Sequence, residues 1–315
     1  MEALTVAVLP LPARAIVEGR LPVWIEPLYF ATPEELLTLA PRAEIGWFDN
    51  TYVPSITQAA RLAERLRWIV TAGAGVDFFP LDLLMERGVV ITKGTGVNAA
   101  PIAEYLVMGM LSIAKGYRDV MRAQDRHDWL WNSPGTRQLA GSRALIVGFG
   151  AIGQELARRL SAFDVEVMGV TRSGRDGTLG ADEWRGKLGE FDWVVLAAPS
   201  TGETRHIIGE AELAAMKADA VLVNVARGTL VDQDALVTAL REKRIAAALL
   251  DVTDPEPLPE DHPLWSLDNA HITMHLSGRA QQTMFRGVAE RFLANCEVFR
   301  RGEVPQPAYD PAKGY

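Results

Sequence analysis

The chain has 315 residues, 48% of them apolar, which is enough for two domains with substantial cores. Its 40 acidic residues outnumber 32 basic ones, giving a net charge of -8, and no Lys/Arg stripe is present, which argues against nucleic acid and anionic membrane surfaces as partners. The single cysteine, Cys296, rules out an intrachain disulfide and a cysteine metal cluster, and no metal site is expected. With no basic leader and no apolar run near the ~20 residues a membrane span needs, a soluble cytoplasmic protein is expected.

The first hundred residues alternate. Leu4–Leu9, Ile45–Phe48, Trp68–Thr71 and Val89–Thr92 read as strands, and Pro33–Leu39, Ile56–Leu66 and Leu81–Arg87 read as helices. This pattern predicts a parallel sheet flanked by helices. Pro101 then opens a helix with Ile102, Leu106, Val107, Met110, Leu111 and Ile113 on more than one face. A helix that apolar is expected to be buried against a neighbouring domain or another subunit, so a homodimer is the expectation. Trp129, Leu130 and Trp131 follow, either as pocket lining or as packing at a hinge or dimer surface.

In mid-chain the apolar run Arg143–Val147 leads into Gly148-Phe-Gly150-Ala151-Ile152-Gly153 and a helix. Strand, glycine turn and helix together form a pyrophosphate site: Gly148 permits the tight turn, Gly150 lets backbone N–H groups reach phosphates, and Gly153 lets the helix pack on the strand. Val165–Val170, Trp193–Ala197, Ala220–Val225, Ala246–Leu250 and His271–Met274 continue as strands, and Gln282–Arg300 is a helix that returns to the first domain. The fold class is α/β, with two doubly wound parallel-sheet domains.

Three side chains suit chemistry at the carboxyl ends of these strands. Arg227 follows an apolar strand and can hold a carboxylate bidentately or polarise a carbonyl oxygen. Glu256 lies in a proline-rich loop where Asp254 and Glu260 compete with it for any role. His275 alone among the five histidines ends an apolar strand, and a carboxylate beside it would favour the imidazolium that donates a proton to a carbonyl.

Taken together, Gly148–Gly153, Ala198-Pro199-Ser-Thr-Gly-Glu-Thr204, Val223–Asp232 around Arg227, Asp251…Glu256-Pro257 and His275 resemble the D-isomer-specific 2-hydroxyacid dehydrogenase family over nearly the whole chain. The resemblance implies a Rossmann nucleotide domain, residues 99–281, inserted into a flavodoxin-like substrate domain, residues 1–98 and 282–315. It implies that Arg227 binds the substrate's carboxylate and keto oxygen, that His275 is the general acid/base, and that Glu256 pairs with it. It also implies that Asp251 and the Val225 backbone hold the nicotinamide carboxamide, that Pro199 and Thr204 line the cofactor, and that Ala74 and Gly75 in Ala72–Asp77 meet the substrate carboxylate. Two residues depart from the family pattern: Met274, where proline is usual, and Thr253, where an aromatic is frequent.

An NAD site normally carries an acid about 20 residues beyond the glycines, for the ribose 2′-OH. Here Thr171, Arg172, Ser173 and Arg175 stand there instead, which favours NADP(H), with NAD as the lesser alternative. The expected partner is a small 2-oxo or 2-hydroxy acid such as glyoxylate or hydroxypyruvate. The alternatives are a cofactor-sensing corepressor on the same fold, or a phosphite or formate dehydrogenase, the latter usually carrying glutamine in place of Glu256.

Overall fold

The computed structural model describes residues 4–49 and 52–312. Contacts divide the chain into two compact units, Met1–Asn98 with Ala280–Tyr315, and Ala99–Arg279.

In the first unit, β1 (Thr5–Pro10), β2 (Ile25–Phe30), β3 (Ile45–Trp47), β4 (Trp68–Val70) and β5 (Val90–Thr92) form a parallel sheet in the order β2-β1-β3-β4-β5. Period-two alternation sends Val6, Val8, Ile69 and Ile91 to one apolar layer. Ala7, Leu9, Trp47 and Trp68 go to the other, where helix Gln281–Arg300 adds Val288, Phe292 and Cys296. Both faces are therefore covered, as an all-parallel sheet requires. Burial pushes the Cys296 thiol up to about 12, so it is a packing group. Two elements here have no counterpart in the sequence reading, helix Leu11–Val17 and β2. The second contains Pro27, which pairs with Ala7 at the sheet edge, where a missing N–H is tolerated.

The second unit contains β6 (Arg143–Val147), β7 (Glu166–Val170), β8 (Trp193–Leu196), β9 (Val221–Asn224), β10 (Ala247–Leu250) and β11 (Ala270–Ile272), all parallel in the order β11-β10-β9-β8-β6-β7. Helix Ala99–Ala114 buries Ala103, Leu106, Val107 and Met110 in a cluster with Leu156, Leu160 and Leu249. Helix Ala151–Ser161 and β10 of the same unit cover this face. Met108, on the remaining face, is exposed.

Parallel strands bring all their carboxyl ends to one edge. Thr171 follows β7, Gly148 follows β6 and Pro199 lies just beyond β8; Arg227 follows β9, Thr253–Glu256 follows β10, and His275 follows β11.

Candidate active site

The glycine turn fits a dinucleotide. Gly148 takes φ 99°, and a side chain there would collide with the Ala197–Ala198 backbone. At Gly150 a Cβ would meet nothing within 4 Å, so space is open before helix Ala151–Ser161, whose first N–H groups have no side-chain cap. Uncapped donors and open space at a helix N-terminus suit a pyrophosphate. Ala151 and Ile152 form the first turn of that helix. Thr204 locks its own turn, donating to the Pro199 carbonyl at 2.7 Å and accepting from the Thr201 N–H at 2.8 Å.

Beyond β7 lies a pocket of about 270 Å³ lined by Phe149, Gln154, Thr171, Ser173, Arg175, Asp176 and Thr178. Arg175 Nε donates to Ser173 Oγ at 2.9 Å, and the Thr171 and Thr178 hydroxyls meet at 2.8 Å. Arg172 is not among the lining residues; its guanidinium pairs with Glu203 at 2.7 Å on the surface. Asp176 also reaches the pocket, because residues 171–178 fold back on themselves, with Asp176 at φ 58° and Gly177 at φ 77°.

At the other end of the sheet, His275 Nδ1 lies 2.9 Å from Glu256 Oε2. Glu256 Oε1 accepts from the Thr253 N–H at 3.2 Å. Desolvation raises the Glu256 pKa, but the His275 hydrogen bond and charge, the Thr253 N–H and the Arg227 charge outweigh it and leave the carboxyl below its usual range. The Arg227 turn adjoins this loop so tightly that a side chain at Gly228 would collide with the Thr253–Asp254 backbone. Asn224, which the sequence reading passed over, braces the same turn: Oδ1 accepts from the Ala226 N–H at 3.1 Å and Nδ2 donates to the Arg227 carbonyl at 2.9 Å. A buried amide ending an apolar strand was the available signal. The Val225 N–H is committed to the Leu196 carbonyl at 3.2 Å.

His275 does not end a strand. β11 stops at Ile272, and Met274 and His275 both adopt φ 56°. Left-handed backbone costs roughly 1–2 kcal/mol at each non-glycine residue. Asp251, 3% exposed, offsets that cost. Its Oδ1 accepts from Thr273 Oγ1 at 2.7 Å, the Leu276 N–H at 3.0 Å and the Ser277 N–H at 3.2 Å, its Oδ2 accepts from Ser277 Oγ, and its carbonyl accepts the His275 N–H. Bonds to an ionised group contribute about 1.5–3 kcal/mol each, so the turn is over-determined. Nearby His271 is a poor proton donor at neutral pH, because burial and the Arg118 charge lower its pKa to about 4.

The family model for the D-isomer specific 2-hydroxyacid dehydrogenase, NAD binding domain, matches residues 107–277. The chain belongs to this family. It is 36% identical to a glyoxylate reductase of Pyrococcus furiosus over 77% of this chain and 75% of that one. Its structure resembles a D-isomer specific 2-hydroxyacid dehydrogenase family protein from Aeromonas salmonicida with a TM-score of 0.84 at 27% identity, covering 98% and 99% of the two chains. A D-isomer specific 2-hydroxyacid dehydrogenase from Xanthobacter autotrophicus, solved with NADPH and MES, matches with a TM-score of 0.77 at 26% identity, covering 99% of this chain and all of that one.

As a D-2-hydroxyacid dehydrogenase the protein is an NAD(P)-dependent oxidoreductase acting on small 2-oxo or 2-hydroxy acids. Its two departures from the family pattern have physical accounts. Proline, fixed near φ −65°, could not take the left-handed conformation of Met274. Thr253 is buried and donates its hydroxyl to the Pro255 carbonyl at 3.0 Å, bracing the loop that carries Glu256, which an aromatic ring could not do.

Proposed function

We propose that this dehydrogenase reduces a small 2-oxo acid such as glyoxylate or hydroxypyruvate to the D-2-hydroxy acid, with NADPH preferred over NADH. The observation that carries the reading is the 2.9 Å His275–Glu256 pair beside the Arg227 turn. The nicotinamide supplies hydride chemistry when bound. With Nδ1–H fixed on Glu256, His275 holds a proton on Nε2 for the substrate's carbonyl oxygen. Arg227 holds the carboxylate and balances the negative charge developing on that oxygen. The family resemblance assigns Ala74 and Gly75 to backbone N–H contacts with the substrate's carboxylate. The Val225 backbone and Asp251 are assigned to the nicotinamide carboxamide; Asp251 also holds the His275 turn.

For the cofactor, Thr171, Ser173 and Arg175 support a 2′-phosphate; the place of Arg175 in the pocket lining favours it for the leading role, with Arg172, paired with Glu203, a secondary cation. Asp176 in the same pocket opposes a second negative charge and tempers the preference. Arg175→Ala is expected to raise the KM for NADPH about tenfold, the loss of one charge-assisted contact, with less than a twofold change for NADH. Equal changes for both would remove Arg175 from the phosphate site, and equal wild-type efficiency with the two cofactors would overturn the preference. A panel of 2-oxo acids assayed with each cofactor tests the activity itself.

The same reading includes a homodimer. Trp129 and Trp131 are 79% and 89% exposed and line, with Val120, Leu130 and Pro134, a concavity of about 680 Å³. Two unshielded indoles on one loop are the composition of a contact surface. Light scattering is expected to give the mass of two chains, and Trp129→Ala with Trp131→Ala to give one; a monomeric wild type would defeat the assignment.

A further inference from the structure

The loop Thr71–Gly75, assigned above to the substrate's carboxylate, has no regular secondary structure, so something must hold its backbone. Asp49, two residues past the end of β3, is one group that does so. Its Oδ2 accepts from the Ala72 N–H at 2.6 Å and from Trp47 Nε1 at 2.9 Å, and its Oδ1 accepts from Thr71 Oγ1 at 2.7 Å. Thr71 Oγ1 in turn accepts from the Gly73 N–H at 3.1 Å.

The order of donors follows from chemistry. An ionised carboxylate accepts only, so the Thr71 hydroxyl must point its proton at Asp49 and turn a lone pair toward Gly73. The loop is thereby fixed at Ala72 and at Gly73, while Ala74 stands exposed and Gly75 half-exposed beyond them. From the opposite side, the Gly94 N–H donates to the Gly73 carbonyl at 2.9 Å, closing the frame. Among the described residues, the groups bonded to this carboxylate are the Trp47 indole, the Ala72 N–H and the Thr71 hydroxyl. Desolvation pushes its pKa up, opposed by the Ala72, Thr71 and Trp47 bonds. A carboxylate desolvated beside a segment meant to receive an anion is costly, and replacement by an apolar residue of similar size would be the simpler way to fill the space.

We propose that Asp49 is a positioning residue for the 2-oxo acid: its carboxylate sets the Thr71–Gly73 backbone so that Ala74 and Gly75 present their N–H groups to the substrate's carboxylate. The proposal rests on the reductase reading above. It predicts a defect confined to one substrate, because no cofactor residue belongs to this loop.

The test is steady-state kinetics of the full-length Asp49→Asn variant with glyoxylate and NADPH. An amide places a donor where the carboxylate accepted, facing Trp47 Nε1, Ala72 N–H or the Thr71 hydroxyl. The KM for glyoxylate is expected to rise about tenfold, with kcat down at most about threefold and the KM for NADPH within about twofold. Thr71→Val, which removes the relay to Gly73 and keeps Asp49, should shift the same KM in the same direction by a smaller factor, and stands in if Asp49→Asn fails to fold. An unchanged KM for glyoxylate in either folded variant, or equal rises for glyoxylate and NADPH, overturns the role of Asp49 while leaving the reductase reading intact. A wild-type protein that turns over no 2-oxo acid overturns both.

Discussion

Replacing His275 with alanine is expected to lower kcat for 2-oxo acid reduction by about 10²–10⁴-fold, with NADPH binding little changed. The magnitude is that of losing a positioned general acid, and the imidazole is positioned from two sides. Its Nδ1 is held on Glu256 at 2.9 Å, and its backbone is held in a left-handed turn by Asp251. Glu256→Gln isolates the first of these. The Glu256 carboxyl lies below its ordinary range, so it stays ionised through the whole neutral region and loses its charge only as pH falls below that of an exposed glutamate. Glutamine keeps the hydrogen bond without the charge, so kcat/KM for reduction should fall across the neutral region, where the wild-type carboxylate is ionised. Rates measured from about pH 5 to 9 for wild type and both variants, with NADPH binding followed by fluorescence, decide the matter. A folded His275→Ala protein with near-normal turnover would sink the acid/base assignment, and unchanged rates in Glu256→Gln would leave Glu256 a purely structural group.

Arg227→Ala should cost kcat/KM about 10²–10³-fold, the scale seen when one preorganised donor to a developing oxyanion is removed. Arg227→Lys should recover only part of this. A lysine returns the charge but not the planar fork that can hold a carboxylate and reach a neighbouring oxygen. The guanidinium donates to the Ala226 carbonyl of its own turn at 2.8 Å, but Asn224 and the close approach of Gly228 to Thr253 also brace that turn, so the fold of the variant should survive. The loss should fall on kcat and on KM for the 2-oxo acid, with the KM for NADPH spared. Full recovery with lysine, or a loss confined to cofactor binding, would contradict the assigned role.

The strand-glycine-helix unit at Arg143–Leu160 was legible because each of its parts has a steric or electrostatic reason that residue types reveal directly. Arg227, Glu256 and His275 were legible as residues in the segments that follow strands, since parallel strands need no long-range information to place their carboxyl ends together. Other features depended on distance in the chain. β2 reads as loop because Glu26 and Pro27 interrupt it, and only its pairing to β1 at the sheet edge makes it a strand. Asp176 is not revealed as a pocket residue by spacing, which counts residues, because Gly174 and Gly177, both at positive φ, fold the chain back. The His275 turn could not be read from Met274, whose conformation is imposed by Asp251 across 23 residues of sequence. Asp49 escaped for the same reason: its partners Thr71 and Ala72 lie 22 and 23 positions away.

The strand order β11-β10-β9-β8-β6-β7 puts the loop of residues 171–178 at one margin of the sheet and the His275 turn at the other. Five inter-strand steps separate them, roughly 24 Å at ~4.8 Å each. Substitutions that far apart with no shared partner act independently. Evolution, or an engineer, can therefore exchange the reductant this scaffold uses without disturbing the chemistry it performs, and the two traits can be selected in either order.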